Sequence, residues 1–311
     1  MPLKRHFVAI LLAGLLALAS GNALATKADF LVDADWLEQH IDDPDLVILE
    51  VRYYPHRYFT IGHIEGAVQV QRFADLGDNS RLPIMFHPDH ETFQETLRGW
   101  GVNDDSTVVL YDDSMTALAS RVYYLLDLFG FDMDRVRLLE GGTVEWTAFN
   151  DLVKEPRAVE RGNVTLSPAN PALRVEWQEI YSDVVSRRDP SITLLDARPE
   201  GQYTGDIIAG AARGGHIPGA VNIVSLDATH PQTQTWYDMD GLAELYADLD
   251  PDQTIYTYCH DGFRSTLAYM QLKALGFDDV RVYDGGWSHW GRALSLPVVE
   301  GDQPYDADFE L

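Results

Sequence analysis

The sequence predicts an α/β protein made of two tandem domains, each a mostly parallel central sheet flanked by helices. One observation is an ordered internal repeat: "GHIEGAVQV" at 62–70 returns as "GHIPGAVNI" at 215–223, "DDSTVVLYDD" at 104–113 returns as "PDQTIYTYCH" at 251–260, and "GFDMDRVRLLEGG" at 130–142 returns as "GFDDVRVYDGG" at 276–286. The offsets are 153, 147 and, taken at the paired glycines, 144 residues. Two long copies mark a duplicated domain, not a solenoid. The second observation is the pattern inside each copy, where near-continuous apolar runs alternate with helical ones. Parallel strands buried on both faces read this way.

Residues 1–25 read as a targeting segment. Lys4, Arg5 and His6 give a basic start, "FVAILLAGLLALA" is an apolar run too short to span a bilayer comfortably, and "ALA" at 23–25 suits cleavage after Ala25. The expected product is an exported, periplasmic protein with no stable membrane anchor after cleavage. The first domain is assigned to 26–153. It reads as helix in "DWLEQHI", "DHETFQETLRGWG" and "ALASRVYYLLDLFGF", and as strand in "LVILEV", "TVVLY" and "RVRLL". Residues 154–174 are polar, hold three prolines and lack periodicity, so they read as a linker whose role is to connect. The second domain, 175–311, has helices in "EWQEIYSDVVSR", "DGLAELYADL" and "RSTLAYMQLKALGF", and strands in "SITLLDAR", "AVNIV", "QTIYTY" and "DVRVY".

Hydrophobic residues make up 46% of the 311, enough for two cores. The formal net charge of −26 disfavours nucleic acid or anionic lipid as a partner. It suits solubility or a salty habitat better than a docking function. The chain has one cysteine, so no internal disulfide can form after export. The value of that residue lies in packing or in reactivity.

Cys259 stands at the carboxyl end of the strand "TIYTY", where parallel sheets bind their ligands. A thiol becomes a nucleophile as thiolate, which needs local positive potential. The turn formed by His260, Asp261, Gly262 and Phe263 runs into a helix, whose unpaired N–H groups and dipole should face the sulfur. Gly262 lets consecutive amides turn inward as an anion-binding nest. Arg264 adds a cation, and Ser265 or Thr266 could cap the helix. The competing reading is a buried structural thiol. The polar residues His260, Asp261 and Arg264 argue against a dry pocket.

Together these stretches resemble the rhodanese-type sulfurtransferases in their tandem two-domain form, over nearly the whole mature chain. "GHIPGAVNI" matches one family signature. "VRVYDGGWSHW" resembles the other, with His289 where an acidic residue is usual. "LLDARPEGQY" resembles the strand-end Asp-Arg segment, and "CHDGFR" has the loop length of sulfur-transferring members. The resemblance implies a ping-pong reaction without cofactor or metal. Cys259 takes the outer sulfur of a small anionic donor such as thiosulfate, and the persulfide passes it to cyanide, a thiol or a protein acceptor. It further implies that Arg198 orients the donor, with an ion pair to Asp196 or Glu200 as its alternative role, and that Arg264 also binds substrate. Asp196 is expected to brace backbone.

The loop lacks the basic residues of thiosulfate-preferring two-domain relatives and the Gly/Ser-rich run of mercaptopyruvate-preferring ones, which leaves the donor open. Asp261 would repel an anion unless turned outward, and His260 would help one when protonated. Phosphatases and arsenate reductases also use a Cys–Arg anion loop, but with five intervening residues against four here, a cradle better sized for sulfur. A non-catalytic binding module and a persulfide carrier are further alternatives. In the first copy Asp112 stands where Cys259 stands, so that domain should not transfer sulfur, and the resemblance implies that it covers the catalytic domain and narrows the cleft. Asp112 and Asp113 could form a metal pair, but no His or Glu cluster accompanies them. His63 and His216 occur in both copies and read as structural, and Trp236 and Tyr237 as packing residues.

Overall fold

The computed structural model describes residues 27–82 and 85–306. The targeting segment expected at 1–25 lies outside the described residues. No helix among the described residues is long and apolar enough to cross a membrane.

The first domain runs β1 (Leu31–Val32), α1 (Ala34–His40), β2 (Leu46–Val51), α2 (Arg57–Thr60), β3 (Val68–Val70), α3 (His90–Gly99), β4 (Thr107–Asp112), α4 (Ala119–Leu128), β5 (Val136–Leu139) and α5 (Gly142–Thr147). Its sheet order is β1-β5-β4-β2-β3, and every pairing is parallel. The second domain runs α6 (Trp177–Ile180), which continues as a wider π-helical turn over Tyr181–Ser186, then β6 (Ile192–Asp196), α7 (Glu200–Tyr203), β7 (Ala220–Asn222), α8 (Met239–Leu245), β8 (Thr254–Tyr258), α9 (Phe263–Ala274), β9 (Val280–Val282) and α10 (Gly286–Trp290). Its strands order as β7-β6-β8-β9, again all parallel. A parallel bridge from Arg174 to Val282 stands where β1 stands in the first copy. The duplication read from sequence is therefore a duplication of topology.

In each copy the strand carrying the key loop, β4 or β8, is central and flanked by strands on both sides. These strands read as apolar runs because neither face meets water: Val108 through Tyr111 and Ile255 through Tyr258 are buried. The helices leaving the two loops, α4 and α9, pack on each other across the domain boundary. Ser120 and Thr266, counterparts by the repeat, meet at 3.0 Å, and Tyr124 stacks edge-on to Tyr269 at 5.2 Å. The apolar core continues through this contact from one domain into the other. The linker does more than connect. Val164 and Leu166 are buried in that core, and Gly162 and Val164 donate to the carbonyls of Arg98 and Val102.

Several elements carry no sequence signal. β1, α2, β3, α5, α7 and α10 span six residues or fewer, too short to show a period. α5 and α10 nonetheless place the loops. In the second domain the amides of Trp287 and Ser288 at the start of α10 donate to the carbonyls of Cys259 and His260, at 2.8 and 2.9 Å. Gly286 makes room for this. Its φ is +54°, and a Cβ there would lie 2.7 Å from the Cys259 oxygen and 2.8 Å from that of His260. Gly286→Ala is expected to lower stability by about 1–3 kcal/mol, the scale of a strained backbone residue, and denaturant unfolding checks it.

Candidate active site

The thiol of Cys259 is fully buried at the end of β8. Its Sγ accepts from the Gly262 amide at 3.2 Å and from the Ser265 hydroxyl at 3.5 Å. Gly262 adopts φ +90°, a left-handed conformation that turns its N–H back toward the sulfur and starts α9 without a side-chain cap. The first residues of α9 lack carbonyl partners within the helix and add positive partial charge there.

Three expectations change. Neither Ser265 nor Thr266 caps α9: Ser265 faces the sulfur, while Thr266 donates to the carbonyls of Gly262 and Phe263. The ring of inward amides reduces to one amide and one hydroxyl in contact with Sγ. The sulfur also borders apolar side chains, so its surroundings are drier than the polar loop residues suggest.

The first domain explains what the loop geometry is for. Asp112, the counterpart of Cys259, is buried, and its carboxylate accepts from the amides of Ser114, Thr116, Leu118 and Ala119 at 2.8–3.0 Å. Burial raises the Asp112 pKa, and these amide bonds pull the other way. The loop is an anion cradle, occupied in one copy by the protein's own carboxylate. Thr143 Oγ1 donates to the Asp112 carbonyl, so α5 anchors this loop as α10 anchors the other. Among the described residues no cluster of His, Cys, Asp and Glu suits a metal.

Arg198 does not fit its expected role. It is buried, and its Nε and Nη2 reach both oxygens of Asp196 at 2.5–3.0 Å. Nη2 also donates to the Gly215 carbonyl at 2.8 Å. Burial alone would lower the Arg198 pKa, but the Asp196 carboxylate carries it above its ordinary value. The thiol-free domain repeats the cluster with Glu50, Arg52 and Tyr111 in place of Asp196, Arg198 and Tyr258: Arg52 pairs with Glu50 and donates to the Gly62 carbonyl. The tyrosines complete it, Tyr111 and Tyr258 accepting from the amides of Ile64 and Ile217. A device present in both copies ties a strand end to the Gly-His-Ile turn. The ion pair with Asp196 is thus the role that the geometry gives Arg198, in place of donor orientation, and Asp196 also receives the Arg198 amide, as a brace would.

His63 and His216 are structural, as expected. Each is buried and stacks on a tyrosine, Tyr58 at 3.6 Å and Tyr203 at 3.8 Å. Trp236 is buried at the domain boundary, where its Nε1 donates to Thr116.

The mouth of the loop carries Arg264, half-buried, with a 3.4 Å contact to Gln202. Arg292 is exposed, donates to the Gly210 carbonyl and, like Arg264, acts on His260. Burial pushes the His260 pKa below its ordinary value, and Arg264, Arg198 and Arg292 push it the same way against Asp261. These influences act against the protonated form in which His260 was expected to help an anion. Gln202 and Arg292 escaped the sequence reading because neither lies in the loop. A cavity of about 660 Å³ lined by Tyr203, Asn222, Asp227 and Leu249 does not include Cys259.

Known proteins resemble this chain along most of its length. The family described as Rhodanese-like domain matches residues 33–149 and 183–293. A putative thiosulfate sulfurtransferase of Haloferax volcanii is 33% identical, covering 88% of this chain and 97% of its own. A 3-mercaptopyruvate sulfurtransferase of Escherichia coli is 30% identical, covering 86% and 97%. The crystal structure of SseA from Escherichia coli superposes with a TM-score of 0.72 at 28% identity, over 83% of this chain and 98% of that one.

Removing one partner of a buried ion pair leaves the other uncompensated. Arg198→Ala is therefore expected to cost about 3–5 kcal/mol in denaturant unfolding. Arg264→Ala, at a half-buried side chain with no buried ion pair to break, should cost at most about 1 kcal/mol while raising the donor KM severalfold.

Proposed function

The chain belongs to the rhodanese family and is a tandem-domain sulfurtransferase, and from that premise we propose that it carries the outer sulfur of thiosulfate to cyanide or a thiol as a persulfide on Cys259. The Cys259 thiolate attacks the outer sulfur, the S–S bond of thiosulfate breaks, and sulfite leaves with the bonding pair. The nucleophile of the acceptor then takes the terminal sulfur and returns the thiolate, so electrons balance over the cycle without an external oxidant or reductant.

The observation that carries this reading is the pair of donors on Sγ, the Gly262 amide and the Ser265 hydroxyl. They stabilise negative charge on sulfur in a site that excludes water, where such dipoles act most strongly. Asp112 supports it from the other copy, since the same loop design there surrounds an anion. Arg264 and Arg292 at the mouth would attract the two negative charges of the donor. Only four residues separate Cys259 from Arg264, a cradle better sized for sulfur than for a tetrahedral phosphate.

Thiosulfate as donor follows the name of the Haloferax relative; the Escherichia coli relative names mercaptopyruvate instead. Comparing the two donors, each with cyanide and with a dithiol, decides between them. Faster turnover of mercaptopyruvate would reassign the donor and keep the persulfide.

Treatment with thiosulfate should add about 32 daltons, one sulfur atom, to Cys259 as covalent catalysis requires, and cyanide should remove it. Intact-mass measurement reads both steps. Cys259→Ser should gain nothing, and a parent protein that gains nothing refutes the proposal.

A further inference from the structure

Helix α4 belongs to the thiol-free domain and is buried on nearly every side, yet one of its buried residues is an arginine. Aligning the repeats on the Gly130-Phe131 and Gly276-Phe277 pairs puts Leu267 of α9 opposite Arg121. A leucine would fill the helix interface without the desolvation that a buried guanidinium suffers. The reason for Arg121 lies in what it faces.

Arg121 reaches across the domain boundary and pairs through Nη1 with Asp284, which follows β9. Its Nη2 donates to the carbonyls of Met85 and Leu76, at 2.8 and 3.3 Å, which fixes the guanidinium within its own domain. The other oxygen of Asp284 accepts the His87 amide, also from the first domain. Both halves of the pair press on one residue of the cysteine loop. The point where a Cβ on Gly262 would stand is 3.0 Å from Arg121 Nη1 and 3.4 Å from Asp284 Oδ1. Gly262 is the residue whose amide donates to Cys259 Sγ.

We propose that Arg121 is a positioning residue of the sulfur site: from the domain without a thiol, it neutralises Asp284 and holds Gly262 with its N–H on Sγ, so that the catalytic loop is complete only in the presence of the other domain. This rests on Cys259 as the residue that carries sulfur. The charged and titratable groups around the loop are His260, Asp261 and Arg264 on it, Asp284 after β9, Arg292 after α10, Asp196 and Arg198 at the end of β6, and Arg121 itself. The first domain also brings His87 and Tyr124 within reach of the Asp284 charge, and among the described residues Arg121 is the first-domain side chain that pairs with Asp284.

The test is the ionisation midpoint of the single thiol, read from thiolate ultraviolet absorbance against pH with Cys259→Ala as blank. Arg121→Met leaves Asp284 uncompensated beside Gly262. It should raise the midpoint by about one pH unit, a tenfold loss of thiolate on the rising limb. Asp284→Asn leaves the guanidinium charge unopposed and should lower the midpoint. Arg121→Lys should restore much of what Arg121→Met loses. A purely structural role predicts lower melting temperatures with midpoints unmoved, and that result, or shifts of Arg121→Met and Asp284→Asn in the same direction, overturns the proposal. Should Arg121→Met fail to fold, unmoved midpoints in Asp284→Asn and Arg121→Lys overturn it equally. No donor is present in the measurement. A protein that titrates as expected but takes no sulfur from thiosulfate would refute the transfer reading and leave this one standing.

Discussion

A helix that begins at the buried end of a central strand leaves amide N–H groups with no carbonyl to bond. Neither water nor another strand reaches them there. Both halves of this protein meet that constraint, and each meets it with a different atom. In the first domain the Asp112 carboxylate collects four amides from its own loop. In the second, Cys259 offers a single sulfur, which engages one amide and one hydroxyl. The first cradle is saturated and inert. The second retains capacity for negative charge, which is what a thiolate or persulfide brings.

The rest of the architecture keeps these loops in shape. α5 and α10, at the ends of the paired-glycine turns, tie the loop carbonyls. Buried carboxylate–arginine–tyrosine clusters anchor the neighbouring strand ends to the Gly-His-Ile turns in both copies. Because α4 and α9 share one core, the loops are also coupled to each other across the domain boundary. The copy without a thiol supplies a packing surface to the cysteine loop, and Arg121 lies against Gly262.

The long strands and helices could be read in advance because their signals are local. β2, predicted at "LVILEV", spans Leu46–Val51, and "RSTLAYMQLKALGF" holds all but the first residue of α9. β1, α2, β3, α5, α7 and α10 could not, since two to six residues show no period, whereas β7 and β9, equally short, stood out as apolar runs. The position of Cys259 at a strand end, with Gly262 and Arg264 beside it, was legible for the same local reason. The role of Arg198 is not legible in sequence, because a strand-end arginine looks alike whether it awaits an anion or is already paired with one. Its burial and the matching Glu50–Arg52 pair decide the matter. Arg121 left a trace, one cation within the apolar run "ALASRVYYLL", but nothing nearby in sequence names its partner.

By itself the sequence determined the duplication, the parallel α/β pattern and the single thiol at a strand end. These follow from periodicity, repetition and the chemistry of a lone thiol, all properties of neighbours along the chain. The tertiary structure decided which charges are spent and which are free. Asp196 holds Arg198, burial disfavours the charged form of His260, and Arg121 and Asp284, separated by 163 residues, close on Gly262. Desolvation and pairing depend on what folding brings within a few ångströms, and no local pattern encodes that.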